Sequence, residues 1–239
     1  SSVMGYAAFL DRMGQVNDLL NAKSILSWDA NTMMPPGGAA TRAKQMASLM
    51  GLARDVLVSD ETRRLLDKAE GEVSSTPVGS VERTICAQTS EAIDYHLRIP
   101  SDLIRKRTEL GGLGHDIWAE ARKNDDFAAF APLLTETVAL NREMAEHIGY
   151  DAHPYDALMY RFEPGETMAT LKTLFATLRE GLLPLLRKVQ GGDAPRTDFL
   201  ERAYPAEKQL AFGLSMASKL GYDLHRGRLD LTVHPFEVS

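Results

Sequence analysis

Apolar side chains recur at every third or fourth position along most of this chain. That spacing places them on one face of an α-helix, because an α-helix turns once in 3.6 residues. Each stripe is wide enough to bury one helix face against a neighbour, so the pattern predicts a mainly helical protein. The clearest stripes are Tyr6, Phe9, Leu10, Met13, Val16 and Leu20; Met46, Leu49, Met50, Ala53, Val56 and Leu57; Phe127, Phe130, Leu134, Val138, Met144 and Ile148; and Met168, Leu171, Leu174, Phe175, Leu178, Leu182, Leu185 and Val189.

Turn-forming and capping residues separate the predicted helices. The Pro-Pro-Gly-Gly run at residues 35–38 ends the first helix, since proline and glycine both interrupt a helical backbone. Ser59, followed by two acidic residues, predicts the start of a later helix, and Ser101 is a predicted N-cap. The segment 71–79 predicts a loop that is too short to divide the chain. We therefore expect one connected domain over residues 1–239.

The last segment has a different pattern. Residues 229–233 alternate between apolar and polar side chains and end on two β-branched residues, which predicts a short strand. Gly227 predicts a turn just before it. The expected fold class is therefore all-α, with several helices and a short β segment near residues 229–234.

The composition narrows the classes of partner and compartment. A net charge of −6 disfavours nucleic acid, which needs a basic patch to neutralise its phosphates. No apolar run approaches the roughly 18 residues of a membrane span, and no signal-peptide pattern is visible at the start. Cys86 is the only cysteine, so no internal disulfide can form. We expect a cytoplasmic protein with neither nucleic acid nor a membrane as partner.

The residue patterns that build common catalytic centres are missing from this sequence. A zinc peptidase helix carries His-Glu-x-x-His, but no two of the six histidines lie four positions apart. No histidine has a glutamate three positions before it, which excludes a di-iron helix bundle. The nearest match to a serine-hydrolase turn, residues 213–217, lies in a helical pattern. The glycine cluster at residues 111–114 predicts either a helix break or a close contact between helices.

Four ordered blocks of sequence are similar to the carboxypeptidase Taq family of thermostable metallocarboxypeptidases. The first block, residues 24–45, contains Ser-Trp-Asp followed by the Pro-Pro-Gly-Gly run. The last block ends on His-Pro-Phe at residues 234–236. The two middle blocks are residues 118–132 and 154–165, and the last block is residues 221–236. Because the four blocks follow one another in the family's order from residue 24 onward, they are more specific than a single short motif.

The resemblance implies an all-α peptidase with a deep substrate groove and a divalent metal, usually zinc, at its floor. Such an enzyme removes single residues from the C-terminus of peptides and commonly forms a homodimer. In the family, the His-Glu-x-x-His helix and the substrate-binding arginine come after the position that matches Ser239. The chain is therefore expected to be the N-terminal portion, without catalytic residues, metal ligands or a metal of its own. His234 and Arg228 match family positions that are expected near the substrate groove.

Two functions from different classes remain open on the sequence. In the first, the chain is the N-terminal region of a metal-dependent carboxypeptidase and is inactive alone. In the second, it is a non-catalytic helical scaffold or interaction module. Local structural roles also remain open for the two groove candidates: His234 in fixing the end of the predicted strand, and Arg228 in an ion pair or turn with Asp230. The first hypothesis further predicts a large exposed apolar face on helices that pack against the rest of the protein, or a self-association that covers this face.

Overall fold

The computed structural model describes residues 4–237, which form nine α-helices and two short 3-10 helices. Contacts group the chain into two compact units, one running to Gly165 and including the segment from Thr232 onward, the other Glu166–Leu231. The expectation of one domain over residues 1–239 stays a prediction. The α-helices are α1 (Met4–Thr32), α2 (Ala39–Leu57), α3 (Asp60–Val73), α4 (Val81–Arg98), α5 (Ser101–Lys123), α6 (Phe127–Ile148), α7 (Pro154–Met159), α8 (Met168–Gln190) and α9 (Ala206–Lys219).

The first unit holds two hydrophobic clusters, built from the apolar stripes of its helices. One cluster joins α1 to α4, and Phe9 at its centre is fully buried. The other joins α4 to α7, and Met144 on α6 is 1% exposed there. The helical stripes predicted for α1, α2 and α6 are therefore confirmed, since each contributes buried residues to a cluster or to the contact between helices.

Of the two helix starts predicted from serine residues, one is confirmed and one is wrong. Ser59 caps α3 by accepting a hydrogen bond from the Thr62 amide at 3.2 Å, as predicted. The prediction of Ser101 as an N-cap is wrong, because Ser101 is already the first helical residue of α5. Pro100 precedes it with an extended ψ of 142°, and no side chain caps that end. Proline lacks an amide hydrogen and pre-sets φ, which fits it to this position.

Helices α2 and α5 approach each other closely at a glycine. A Cβ atom placed on Gly112 would lie 2.9 Å from Cβ and 3.1 Å from Cα of Ala43, and 3.0 Å from Cε of Met46. Ala43 and Met46 are both buried on α2. Of the two predictions for the glycine cluster, the close contact is therefore the one observed, since α5 runs through residues 111–114 without a break.

Arginine side chains connect the helices of the first unit through backbone carbonyls. Arg54 of α2 donates to the carbonyl oxygens of His96 and Ile99 at 2.9 and 3.1 Å, at the C-terminal end of α4. Arg42 pairs with Asp29 at 2.6 Å, which links the start of α2 to the end of α1. Carbonyl groups at a helix end have no partner within the helix, so the Arg54 guanidinium satisfies acceptors that would otherwise need water.

The second unit exposes the apolar stripe of α8. Thr167 and Thr170 form a reciprocal capping box at its first turn. No residue of α8 is buried, and seven of its large apolar side chains are at least half exposed. This exposure confirms the expected apolar face, which is larger than a water-exposed helix normally carries. These side chains are Leu174, Phe175, Leu178, Leu182, Leu185, Leu186 and Val189.

The predicted strand near residues 229–234 is wrong, because no residue between 4 and 237 is in a β-strand. Alternating and β-branched side chains favour an extended backbone, but a strand also needs a neighbouring strand for its backbone hydrogen bonds.

The turn predicted at Gly227 is confirmed by amide hydrogen bonds from Arg226 and Gly227 to the Asp223 carbonyl, both 3.0 Å. The Tyr222 hydroxyl lies where a Gly227 Cβ would be, so a larger residue there would displace the exposed tyrosine ring.

Candidate functional site beside His234

On one face of α5, the indole ring of Trp118 lies beside two basic side chains, His115 and Arg122. His115 and Trp118 lie one turn apart, with ring centroids 5.9 Å from each other. The guanidinium carbon of Arg122 lies 5.3 Å from the centre of the Trp118 ring, within range of a cation–π interaction. The rigid helix therefore fixes the positions of an indole, an imidazole and a guanidinium group.

His234 lies against this face. Its ring meets Trp118 edge-on, with centroids 5.7 Å apart and planes at 67°. The segment that carries it is attached to the C-terminal end of α1, because the Thr232 hydroxyl donates to the Asn31 carbonyl at 3.0 Å. The His234 side chain stays exposed to solvent. The imidazole is thus held at the edge of a groove and remains accessible to a ligand.

Two hollows border His234, and we call them together the His234 groove. The first, about 450 Å³, is lined by polar groups at i, i+4 and i+8 on α1, namely Lys23, Ser27 and Asn31, together with His115 and Glu237. The second, about 580 Å³, lies between α5 and α6 and is mainly apolar. Its apolar lining includes Trp118, Phe130, Leu133, Leu134 and Leu140.

The chemistry of the His234 groove suits binding. One hollow offers hydrogen-bond donors and acceptors and the other offers apolar side chains, which is what an extended peptide presents in alternation. Within residues 4–237, no group of three or more histidine, cysteine, aspartate or glutamate side chains could hold a metal ion. The described residues therefore do not fit a resident metal, and we assign them no catalytic step.

Arg228, the second predicted groove residue, belongs to the unit Glu166–Leu231, whereas His234 belongs to the other unit. Arg228 pairs with Asp230 at 2.7 Å, and its carbonyl accepts a hydrogen bond from the Tyr222 hydroxyl at 3.4 Å. Its side chain is 61% exposed, while that of Asp230 is 12% exposed. The ion pair with Asp230 is thus observed, and a role of Arg228 in binding substrate stays a prediction.

Sequence reasoning missed the importance of His115, Trp118 and Arg122 as one surface. Their spacing of three and four residues would have placed them on one helix face. What the spacing could not provide was their contact with His234, since more than 110 residues of chain lie between Trp118 and His234.

Comparison with known proteins agrees with the fold and the sequence blocks. The family model described as carboxypeptidase Taq (M32) metallopeptidase matches residues 8–239. The chain belongs to this family. Carboxypeptidase 1 from Bacillus subtilis is 32% identical over 235 residues, and thermostable carboxypeptidase 1 from Thermus thermophilus is 34% identical over 246.

The solved structures support the same assignment. The crystal structure described as BsuCP superposes with a TM-score of 0.88 at 31% identity, and the match covers 97% of this chain and 46% of that one. The match to the Bacillus relative covers 97% of this chain and 46% of that protein. The match to the Thermus relative covers 98% of this chain and 48% of that protein. The chain therefore spans about half the length of the curated M32 relatives it matches.

Within residues 4–237, no helix is both long and apolar enough to span a membrane.

Proposed function

We propose that this chain is the N-terminal region of a metal-dependent carboxypeptidase and supplies one wall of its substrate groove. The family match over residues 8–239 carries this proposal, together with the coverage of about half of each relative. The fragment alone is proposed to be inactive, since the described residues offer no metal ligand set.

The proposed substrate is a peptide with a free C-terminal carboxylate, from which single residues are removed. The His234 groove supports this substrate class because it combines an apolar hollow for side chains with a polar one for peptide groups. Zinc, or another divalent ion, would polarise the scissile carbonyl and activate water when bound by the whole protein. The role proposed for Arg228 in binding substrate rests on the resemblance, supported by its exposed guanidinium group.

A homodimer is proposed for the whole protein, and a cytoplasmic location for its compartment. The exposed apolar stripe of α8 is compatible with a further protein surface packing on this region. The single buried thiol of Cys86 is compatible with a reducing compartment. A light-scattering mass of one chain would contradict the dimer, and cell fractionation into an oxidising compartment would contradict the location.

Replacing His234 with alanine in the protein at its natural length should raise KM for a peptide substrate by about tenfold, equivalent to about 1.4 kcal/mol. The imidazole at the groove edge would no longer contact the peptide, whereas kcat should change less because His234 carries no assigned step. The melting temperature should stay close to that of the parent, since the side chain is exposed.

The matched control is His225→Ala, which removes an exposed imidazole from the other unit. Its KM should equal that of the parent. The role of His234 would be refuted by equal KM values for the two variants. A large loss of thermal stability in His234→Ala alone would instead indicate that the ring supports the fold.

The alternative function is a non-catalytic helical interaction module. The exposed apolar face of α8 is the observation that favours it. The two functions differ in one property, since only the carboxypeptidase releases C-terminal residues from peptides.

A further inference from the structure

A partly open cavity of about 350 Å³ lies in the first unit, next to the His234 groove. Side chains from α1, α2, α4, α5 and α6 line it, together with Arg161 after α7. Lys23, Arg107 and His115 border both the cavity and the His234 groove. The volume is at the lower end of the range for pockets that hold small molecules.

Positive charge dominates the lining of this cavity. Lys23, Arg107 and Arg161 each bring a cation, and Asp116 brings the one carboxylate among the lining residues that the structure describes. None of these four side chains takes part in an ion pair with another residue between 4 and 237. Lys23 and Arg107 are partly buried and Arg161 is exposed, so three cations and one carboxylate share the lining, and like charges close together disfavour one another.

The side chains of the cavity do not neutralise one another. Burial, as the largest cause, and then the charges of Arg161, Arg54 and Arg107 together lower the pKa of His96 to about 4. Burial and the proximity of Arg161 also lower the pKa of Arg107. The guanidinium groups of Arg107 and Arg161 therefore act on the same small space, while the imidazole of His96 stays neutral at neutral pH.

Water in the cavity would leave its excess of positive charge uncompensated. An oxyanion would compensate it, because a carboxylate or phosphate is negatively charged and accepts two parallel hydrogen bonds from a planar guanidinium group. We propose that this cavity binds a small oxyanion, a carboxylate or a phosphate, through Arg107 of α5 and Arg161. This ligand site goes beyond the proposed peptidase function and does not depend on it.

Titration calorimetry on the protein at its natural length tests the site, with inorganic phosphate and succinate as separate probes at constant ionic strength. We expect saturable binding of at least one probe at one site per chain. Binding of phosphate alone would identify the ligand as a phosphate, and binding of succinate alone would identify it as a carboxylate. Absence of saturable binding for both probes would overturn the proposal and leave the cavity as a water site.

Three variants locate the binding. Arg107→Gln and Arg161→Gln should each weaken the affinity by about tenfold or more, as expected for losing a charge-assisted hydrogen bond. Arg105→Gln makes the same charge change at an exposed position of α5 outside the cavity lining and should bind like the parent. Arg161 is also exposed, so its variant keeps the test valid if Arg107→Gln fails to fold.

Equal affinity in the parent, Arg161→Gln and Arg105→Gln would place the bound anion elsewhere and overturn the proposal. Peptide hydrolysis measured on the same samples separates the two claims. Arg161 lines the cavity but neither hollow of the His234 groove, so its variant is the one to compare. Loss of anion binding in Arg161→Gln with peptide release retained would concern the cavity only, and the reverse result would concern the peptidase function only.

Discussion

Gly112→Ala should lower the free energy of unfolding by about 1–3 kcal/mol, although alanine is the better helix former. The added Cβ would lie 3.1 Å from the Cα of Ala43, and a backbone atom cannot move aside as a flexible side chain can. Helices α2 and α5 would have to separate, which disturbs the buried contact of Ala43 and Met46. Thermal or urea unfolding followed by circular dichroism measures the loss.

The neighbouring glycine provides the matched control. A Cβ atom on Gly111 would meet no atom within 4 Å, and the residue lies on the same helix. Gly111→Ala should therefore raise the free energy of unfolding by about 0.5–1 kcal/mol through helix propensity alone. Stabilisation by both substitutions would show that α2 and α5 are not in close contact at this point.

Acidification from pH 7 to pH 5 should cost the protein about 2 kcal/mol through His96 alone. The pKa of His96 is about 4 in the folded protein, against 6.5 for an unperturbed histidine. Since the folded-state pKa is the lower one, the unfolded chain binds more protons between these values. The stability from neutral His96 is therefore complete above pH 6.5 and is lost progressively as the pH falls through 4.

His96→Gln isolates this contribution from the other groups that titrate in acid. The variant has no imidazole to protonate, so its stability should fall by about 2 kcal/mol less than that of the parent between pH 7 and pH 5. Denaturant unfolding at both pH values gives the difference. Because an anion in the cavity would favour the protonated ring, the buffers should contain neither phosphate nor carboxylate. Identical pH dependence in parent and variant would contradict the burial of His96 among Arg54, Arg107 and Arg161.

Local signals in the sequence predict the helices of this protein well. The apolar stripes of α1 and α6 become the buried residues Phe9 and Met144, because helical periodicity and burial have the same physical origin. Ser59 caps α3 through a hydrogen bond within four residues of chain. The predicted strand at residues 229–233 is wrong because a strand depends on a distant partner, which the local pattern does not report.

Contacts between distant segments cannot be predicted from local patterns in the sequence. His234 is a family position, but its contact with Trp118 joins segments that only the fold brings together. The cavity around His96 combines residues from five helices, and its unpaired charges follow from that packing. The close contact at Gly112 was one of two possibilities, and only the position of Ala43 on α2 decides between them.

The dependence of peptide hydrolysis on a bound metal is the most direct test of the proposed carboxypeptidase function. The protein at its natural length would be incubated with a peptide carrying a free C-terminus, and its products followed by mass spectrometry. We predict stepwise loss of single C-terminal residues, no loss from the same peptide with an amidated C-terminus, abolition by a chelator and restoration by zinc or another divalent ion. Failure to release C-terminal residues, or release that a chelator leaves unchanged, would contradict the assignment of this M32 chain to a metal-dependent carboxypeptidase.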